Sequence, residues 1–212
     1  MLDGPRLAPR SGGPARHLVV LLHGYGADGN DLIALGEAWA PLLPDAAFVS
    51  PHAPEPYPHA AFGRQWFPLF TREPDDIAAG VKAAAPALHA FLDAELQASG
   101  LGNESLALVG FSQGTMMALY AAGDRPAPAG ILGYSGLVAW PVPPAAGPRP
   151  PVLLIHGADD PLISAAALPA AADALRAAGF PVETELRPGV GHGIDPAGLE
   201  HGGRFLRRVL NP

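Results

Sequence analysis

"LALVGFSQGTMMALY", residues 106–120, sets a lone serine between two glycines, after an apolar run and before a pattern that reads as a helix. The run from Leu106 to Phe111 has the length and composition of a strand buried on both faces. Gly110-Phe111-Ser112-Gln113-Gly114 then matches G-x-S-x-G, a pattern with a mechanical meaning at a sharp turn from strand to helix. Flanking glycines let the backbone turn tightly enough to lift the serine Oγ clear of the sheet. The helix start leaves unpaired backbone N–H groups, that of Gln113 among them, beside the serine. Two readings are open here: Ser112 is a nucleophile served by those donors, or an N-cap that satisfies them.

Outward from this turn, short apolar runs alternate with helical patterns. "HLVVLLHG" (17–24) and "AAFVSP" (46–51) read as strands, with "NDLIALGEAWAPLL" between them as a helix carrying Asp31 in its first turn. Residues 75–100 are alanine-rich and helical, and Pro86 is expected to kink or divide that helix. "AGILGYSG" (129–136), "PVLLIHG" (151–157) and "PVETELRP" (181–188) add strands, and 164–178 and 196–210 add helices. Strands of this kind alternating with helices imply an α/β fold, a mostly parallel sheet of about six or seven strands flanked by helices. Residues 51–74 and 138–151 are Pro-rich interruptions within one domain, not linkers, because strands of the same sheet flank each of them. The expected organisation is an N-terminal extension at 1–16, loosely ordered, and a single domain at 17–212.

Composition narrows the function classes. The chain has 212 residues, 49% hydrophobic and 16% charged, enough for a packed core despite 26 glycines and 26 prolines. It has no cysteine, which excludes disulfides, thiolate zinc sites and a cysteine nucleophile. A formal charge of −7 disfavours nucleic acid and anionic membrane surfaces. The first residues lack the unbroken apolar stretch of a secretory signal, and no segment approaches the ~18 apolar residues of a membrane span, so a cytoplasmic location is expected. No H-E-x-x-H or similar ligand spacing occurs, and no metal or organic cofactor is expected.

A serine hydroxyl is a weak nucleophile, so the catalytic reading of Ser112 requires a histidine base and a carboxylate that fixes its tautomer. Of the 8 histidines, His192 in "PGVGHGIDP" lies in a loop between the last strand and the last helix, at the sheet edge expected for Ser112. His201 falls on the last helix opposite Leu199 and reads as a solvated surface residue. His17, His52, His59 and His89 read as structural or solvent-facing. Asp160 in "LLIHGADDPLIS" is the carboxylate choice over Asp159, because H-G-x-x-D-P sets it just past a turn. Asp195 is the fallback, with a helix cap as its ordinary reading. The order Ser112, Asp160, His192 is that of the α/β-hydrolase fold, which also takes an oxyanion donor from the loop after an early strand. The backbone N–H of Tyr25, after "LLHG", fits that place.

"LLHGYGADGNDL", "GRQWF", "GFSQGTMMAL", "IHGADDPLI" and "GVGHGI" together resemble the phospholipase/carboxylesterase family of small α/β-hydrolases, relatives of the acyl-protein thioesterases. The resemblance runs from about residue 17 to 210 and implies a minimal hydrolase sheet without a large lid. It implies hydrolysis of carboxylic esters or thioesters through an acyl-enzyme, with Ser112 as nucleophile, Asp160 as orienting acid, His192 as base, and the Tyr25 and Gln113 amides as the oxyanion hole. The expected partner is a small ester of short to medium acyl length rather than a bilayer, with a homodimer left open. Thioesterase, lysophospholipase or acyl-transfer activity stays open on the same triad, as does a catalytically silent scaffold. A dienelactone-hydrolase-like enzyme would use a cysteine, which the chain lacks. Tyr57, Phe62, Trp66, Phe67 and Phe70 crowd the 51–74 loop. Trp66 and Phe67 either wall the substrate pocket or pin the loop to the core.

Overall fold

A computed structural model describes residues 2–60, 62–144 and 147–211. In chain order its elements are β1 (Arg6–Leu7), β2 (His17–Leu22), α1 (Gly29–Trp39), β3 (Ala46–Val49), β4 (Glu55–Pro56), β5 (Arg64–Gln65), α2 (Pro74–Ser99), β6 (Leu106–Phe111), α3 (Gln113–Asp124), β7 (Gly130–Tyr134), β8 (Val152–Gly157), α4 (Ala167–Ala177), β9 (Val182–Arg187) and α5 (Pro196–Leu210). The main sheet has seven strands in the order β1-β3-β2-β6-β7-β8-β9. All neighbours are parallel except β1, which runs antiparallel to β3.

The strands are apolar on both faces because both faces are covered. Leu18, Val20 and Leu22 of β2, with Leu106 and Leu108 of β6, pack under α2, α3 and α4. The alternate residues Val19, Leu21, Ala107 and Val109 meet Trp39 of α1 and Phe205, Leu206 and Leu210 of α5. The two-residue period of a strand thus feeds two separate cores. The edge strands depart from this: Glu183, Thr184 and Leu186 of β9 and Arg6 of β1 are exposed.

Two expectations need correction. The N-terminal segment is not a loose extension over its first part: Arg6 and Leu7 pair with Val49 and Phe48. Pro5 and Asp3 carbonyls accept from the Ser50 and His52 amides at 3.0 and 2.8 Å. Those bonds satisfy an otherwise open sheet edge. Pro86 does not divide α2, which runs unbroken over 26 residues. Pro86 and Lys82, whose carbonyl loses its helical donor, lie on the exposed face, where water replaces the bond, while Ile77, Val81, Leu88, Phe91 and Leu92 face the core.

The turn from β6 into α3 brings backbone against backbone at two glycines. A Cβ on Gly110 would collide with the Thr115 amide, and one on Gly114 would collide with the Leu22 carbonyl at the end of β2. Both obstacles are backbone and cannot swing away. Gly123, in the same helix, would meet nothing within 4 Å. Gly114→Ala is therefore expected to lower the melting temperature by more than about 5 °C. Gly123→Ala should leave it unchanged or raise it slightly, because alanine is the better helix former. Thermal unfolding of the two variants checks the contrast, and equal effects would contradict the crossing as the tight point.

Candidate active site

Ser112 holds a left-handed backbone with φ of 53°, a conformation that costs a non-glycine residue energy. Its amide donates to the Tyr134 carbonyl at 2.9 Å, and Thr115 Oγ1 donates to that same carbonyl at 2.8 Å. The serine side chain makes no hydrogen bond that would cap α3. The capping alternative for Ser112 is therefore not what the structure shows. Ser112, His192, Tyr25 and Gln113 line one cleft of about 410 Å3, whose other walls are mainly apolar.

His192 comes from the β9–α5 loop and packs at a tilt of 51° against Phe111, with ring centroids 4.9 Å apart. Its Nδ1 lies 2.7 Å from Asp160 Oδ2, so Nδ1 carries the proton and Nε2 keeps its lone pair. The Asp160 side chain is fully buried. Burial alone would raise its pKa, yet it lies below the usual carboxylate range because donors converge on it. The Ile163 and Leu162 amides donate to Oδ1 at 2.9 and 2.8 Å, and His192 serves Oδ2. A second histidine, His156, sits behind the carboxylate with Nε2 3.3 Å from Oδ2 and 2.9 Å from the Ile163 carbonyl. Both of those neighbours are acceptors, so His156 Nε2 carries a proton.

Asp195, Asp159 and His201 do not line the cleft. Asp195 caps α5 through its bond from the Gly198 amide at 3.1 Å and pairs with Arg187. Asp159 makes no side-chain hydrogen bond among the described residues, and only its backbone amide is engaged, by the Val190 carbonyl. His201 is not a solvated surface residue: it is half-buried and its Nδ1 pairs with Glu185 of β9. The edge strand turns that carboxylate toward α5, a pairing that the helical pattern alone does not contain.

Residues 9–210 match the family model described as Phospholipase/Carboxylesterase. The chain belongs to the phospholipase/carboxylesterase family. It is an enzyme, a hydrolase with the α/β-hydrolase fold. It is 35% identical to esterase YpfH of Escherichia coli (strain K12) over 198 residues, 93% of this chain and 84% of that protein. Acyl-protein thioesterase 1 of Gibberella zeae is 28% identical, with 92% of this chain and 91% of that protein aligned. The crystal structure of esterase PE8 superposes with a TM-score of 0.91 at 41% identity, covering 99% of each chain.

In this family member, Trp66 and Phe67 do not wall the cleft; they are buried at 1% and 2% exposure in the core. Their peptide groups are held by one side chain: Gln113 Oε1 accepts from the Trp66 amide and Gln113 Nε2 donates to the Phe67 carbonyl, both at 2.8 Å. Trp66 Nε1 in turn donates to the His23 carbonyl at 3.0 Å. Leu69 and Arg72, further along the same loop, reach the cleft instead. Sequence reading named Gln113 for its backbone and missed its amide, because a buried side-chain network has no periodic signal.

The same network reaches the loop of Tyr25. His23 is fully buried; its Nε2 accepts from the Ala53 amide at 3.0 Å and its Nδ1 donates to the Gly24 carbonyl at 2.8 Å. Next to it, Gly26 N–H and Ala27 O bond the strand β5 at Arg64 at 2.9 and 2.8 Å. Among the described residues the Tyr25 and Gln113 amides donate to no protein acceptor, and both border the cleft at Ser112.

Burial pushes His23 down to about 4, and the bond to Gly24 opposes this only in part. Its folded value lies below the ordinary ~6.5 of an unfolded histidine. Stability is therefore complete above pH ~6.5 and is lost as the pH falls toward 4, by about 3 kcal/mol for this group. Urea unfolding at pH 7 and near pH 4 should show the loss. An NMR titration of the His23 ring should find it neutral until about pH 4, whereas a midpoint at the ordinary value would contradict the buried neutral assignment.

Proposed function

We propose that the protein hydrolyses carboxylic esters of short to medium acyl length through an acyl-enzyme on Ser112. The observation that carries this reading is that a strained Ser112 and His192 line one cleft, with Nδ1 of the histidine held by a buried Asp160. His192 Nε2 takes the Ser112 proton as Oγ attacks the ester carbonyl, forming the C–O bond and placing negative charge on the carbonyl oxygen. The Tyr25 and Gln113 amides, which have no acceptor among the described residues, receive that charge. The tetrahedral intermediate collapses, the bond to the alcohol oxygen breaks, and His192 gives the proton to the leaving alcohol. Water repeats the sequence on the acyl-enzyme and releases the acid.

Names of relatives support the substrate class. They include esterase YpfH, acyl-protein thioesterase 1 and carboxylesterase SOBER1 of Arabidopsis thaliana, the last 30% identical over 215 residues. A thioester would use the same groups, its sulfur leaving in place of oxygen. The cleft volume and its walls of Leu69, Ile77, Met116 and Leu137 favour a single acyl chain of modest length. No helix among the described residues is long and apolar enough to cross a membrane.

Ser112→Ala is expected to reduce ester turnover by at least about a thousandfold with the fold retained, since it removes the nucleophile and no packing. Asp160→Asn should lower kcat by orders of magnitude through a misoriented histidine, and Asp159→Asn should change it little. Steady-state kinetics with circular dichroism on the three variants tests the reading. Wild-type turnover in the Ser112 variant would overturn it.

Chain length is the second measurement. Across a p-nitrophenyl ester series, kcat/KM should peak at short or medium acyl chains, and Met116→Ala, which enlarges the cleft wall, should move the peak toward longer ones. Highest activity on bilayer phospholipid would contradict the substrate class.

A further inference from the structure

Arg72 is the one side chain with a permanent charge that lines the cleft among the described residues. The other polar lining groups are Tyr25, Ser112, Gln113, Ser164 and His192. Arg72 Nη1 donates to the Leu162 carbonyl at 2.9 Å, reaching from the loop before α2 to the loop that follows Asp160. That acceptor is neutral, so the bond fixes the guanidinium without cancelling its charge. No carboxylate of the described residues lies within 4.0 Å of Arg72, although Glu73, Asp75 and Asp76 follow it closely in sequence. Thr71 Oγ1 engages Asp76, which holds that carboxylate on α2's first turn. Leu162 is itself fixed, its amide donating to Asp160 Oδ1 at 2.8 Å.

Resting on the esterase reading above, we propose that Arg72 selects ester substrates that carry a carboxylate. With Nη1 engaged, the Nε–H and Nη2–H edge is left as a planar fork of the shape that a carboxylate accepts in bidentate fashion. Arg72 is exposed at the edge of the cleft, so water and salt screen such a pair and its effect on selectivity is modest. The chain as a whole carries a charge of −7 and repels anions, so a local cation at the cleft is needed for an anionic ester to be preferred over a neutral one. A purely mechanical role, the tether to Leu162, would need the donor and not the charge. The two roles separate on substitution.

The test compares matched esters by pH-stat titration. Monoethyl adipate against ethyl hexanoate places the carboxylate on the acyl side, and 4-(butyryloxy)butanoate against pentyl butyrate places it on the alcohol side. The readout is the ratio of kcat/KM for the charged ester to that for its neutral match. Arg72→Gln keeps a donor for Leu162 and removes the charge; it should lower the ratio about fivefold in at least one pair. Arg72→Lys, with the charge but not the fork, should fall between. Raising salt to about 0.5 M should shrink the wild-type ratio toward that of the glutamine variant. The affected pair names the side of the substrate that meets Arg72. Ratios that stay within about twofold in both pairs, for Arg72→Gln and in high salt, overturn the proposal. Turnover of the neutral esters in the same assays keeps that outcome distinct from failure of the esterase reading, in which none of the four esters is cleaved.

Discussion

The backbone of α3 starts against the backbone of β2, with Gly114 pressed on the Leu22 carbonyl, and the site is arranged around that contact. No side chain can intervene there. The contact brings the first amides of α3 beside the loop that leaves β2, so that Gln113 and Tyr25 border one cleft. Ser112 is lifted over this crossing at φ of 53°, and the strain is held by the Tyr134 carbonyl, which takes bonds from the Ser112 amide and the Thr115 hydroxyl. Backbone contacts fix both residues: Gln113 through the crossing at Gly114, and Tyr25 through its neighbours Gly26 and Ala27, which bond Arg64.

A buried polar network then prevents the two loops from drifting. Gln113 holds residues 66 and 67, Trp66 holds the His23 carbonyl, and His23 bridges Gly24 and Ala53. Each member is satisfied by the next, which is the condition under which buried polar groups rigidify a fold. Asp160 is fixed in the same manner, by two amides and flanking histidines, so the orientation of His192 is set before any substrate enters.

The sheet was legible in sequence because strands buried on both faces and joined by amphipathic helices leave long, regular patterns. Leu106–Phe111 and Val152–Gly157 are cases in point. The cap role of Asp195 was legible for a similar reason, its position just before Pro196 and α5. Short or aperiodic features were not. β1 is two residues long and exists only through its partner strand. Gln65, Trp66 and Phe67 are buried in succession, so no alternation could tell which face each would take, and the aromatic rings meant for the cleft went to the core. His156 lies at the end of β8 and His23 just after β2, polar residues in apolar runs, and their tasks depend on atoms outside those runs, at Ile163 and Ala53.

The account stands on Ser112 being activated by His192. Treatment of the folded protein with a fluorophosphonate, followed by peptide mapping, measures that activation directly, since an unactivated hydroxyl does not react at a useful rate. The account predicts a single adduct on Ser112 that is lost when His192 is replaced by alanine. An adduct on another residue, or undiminished labelling without His192, would contradict it.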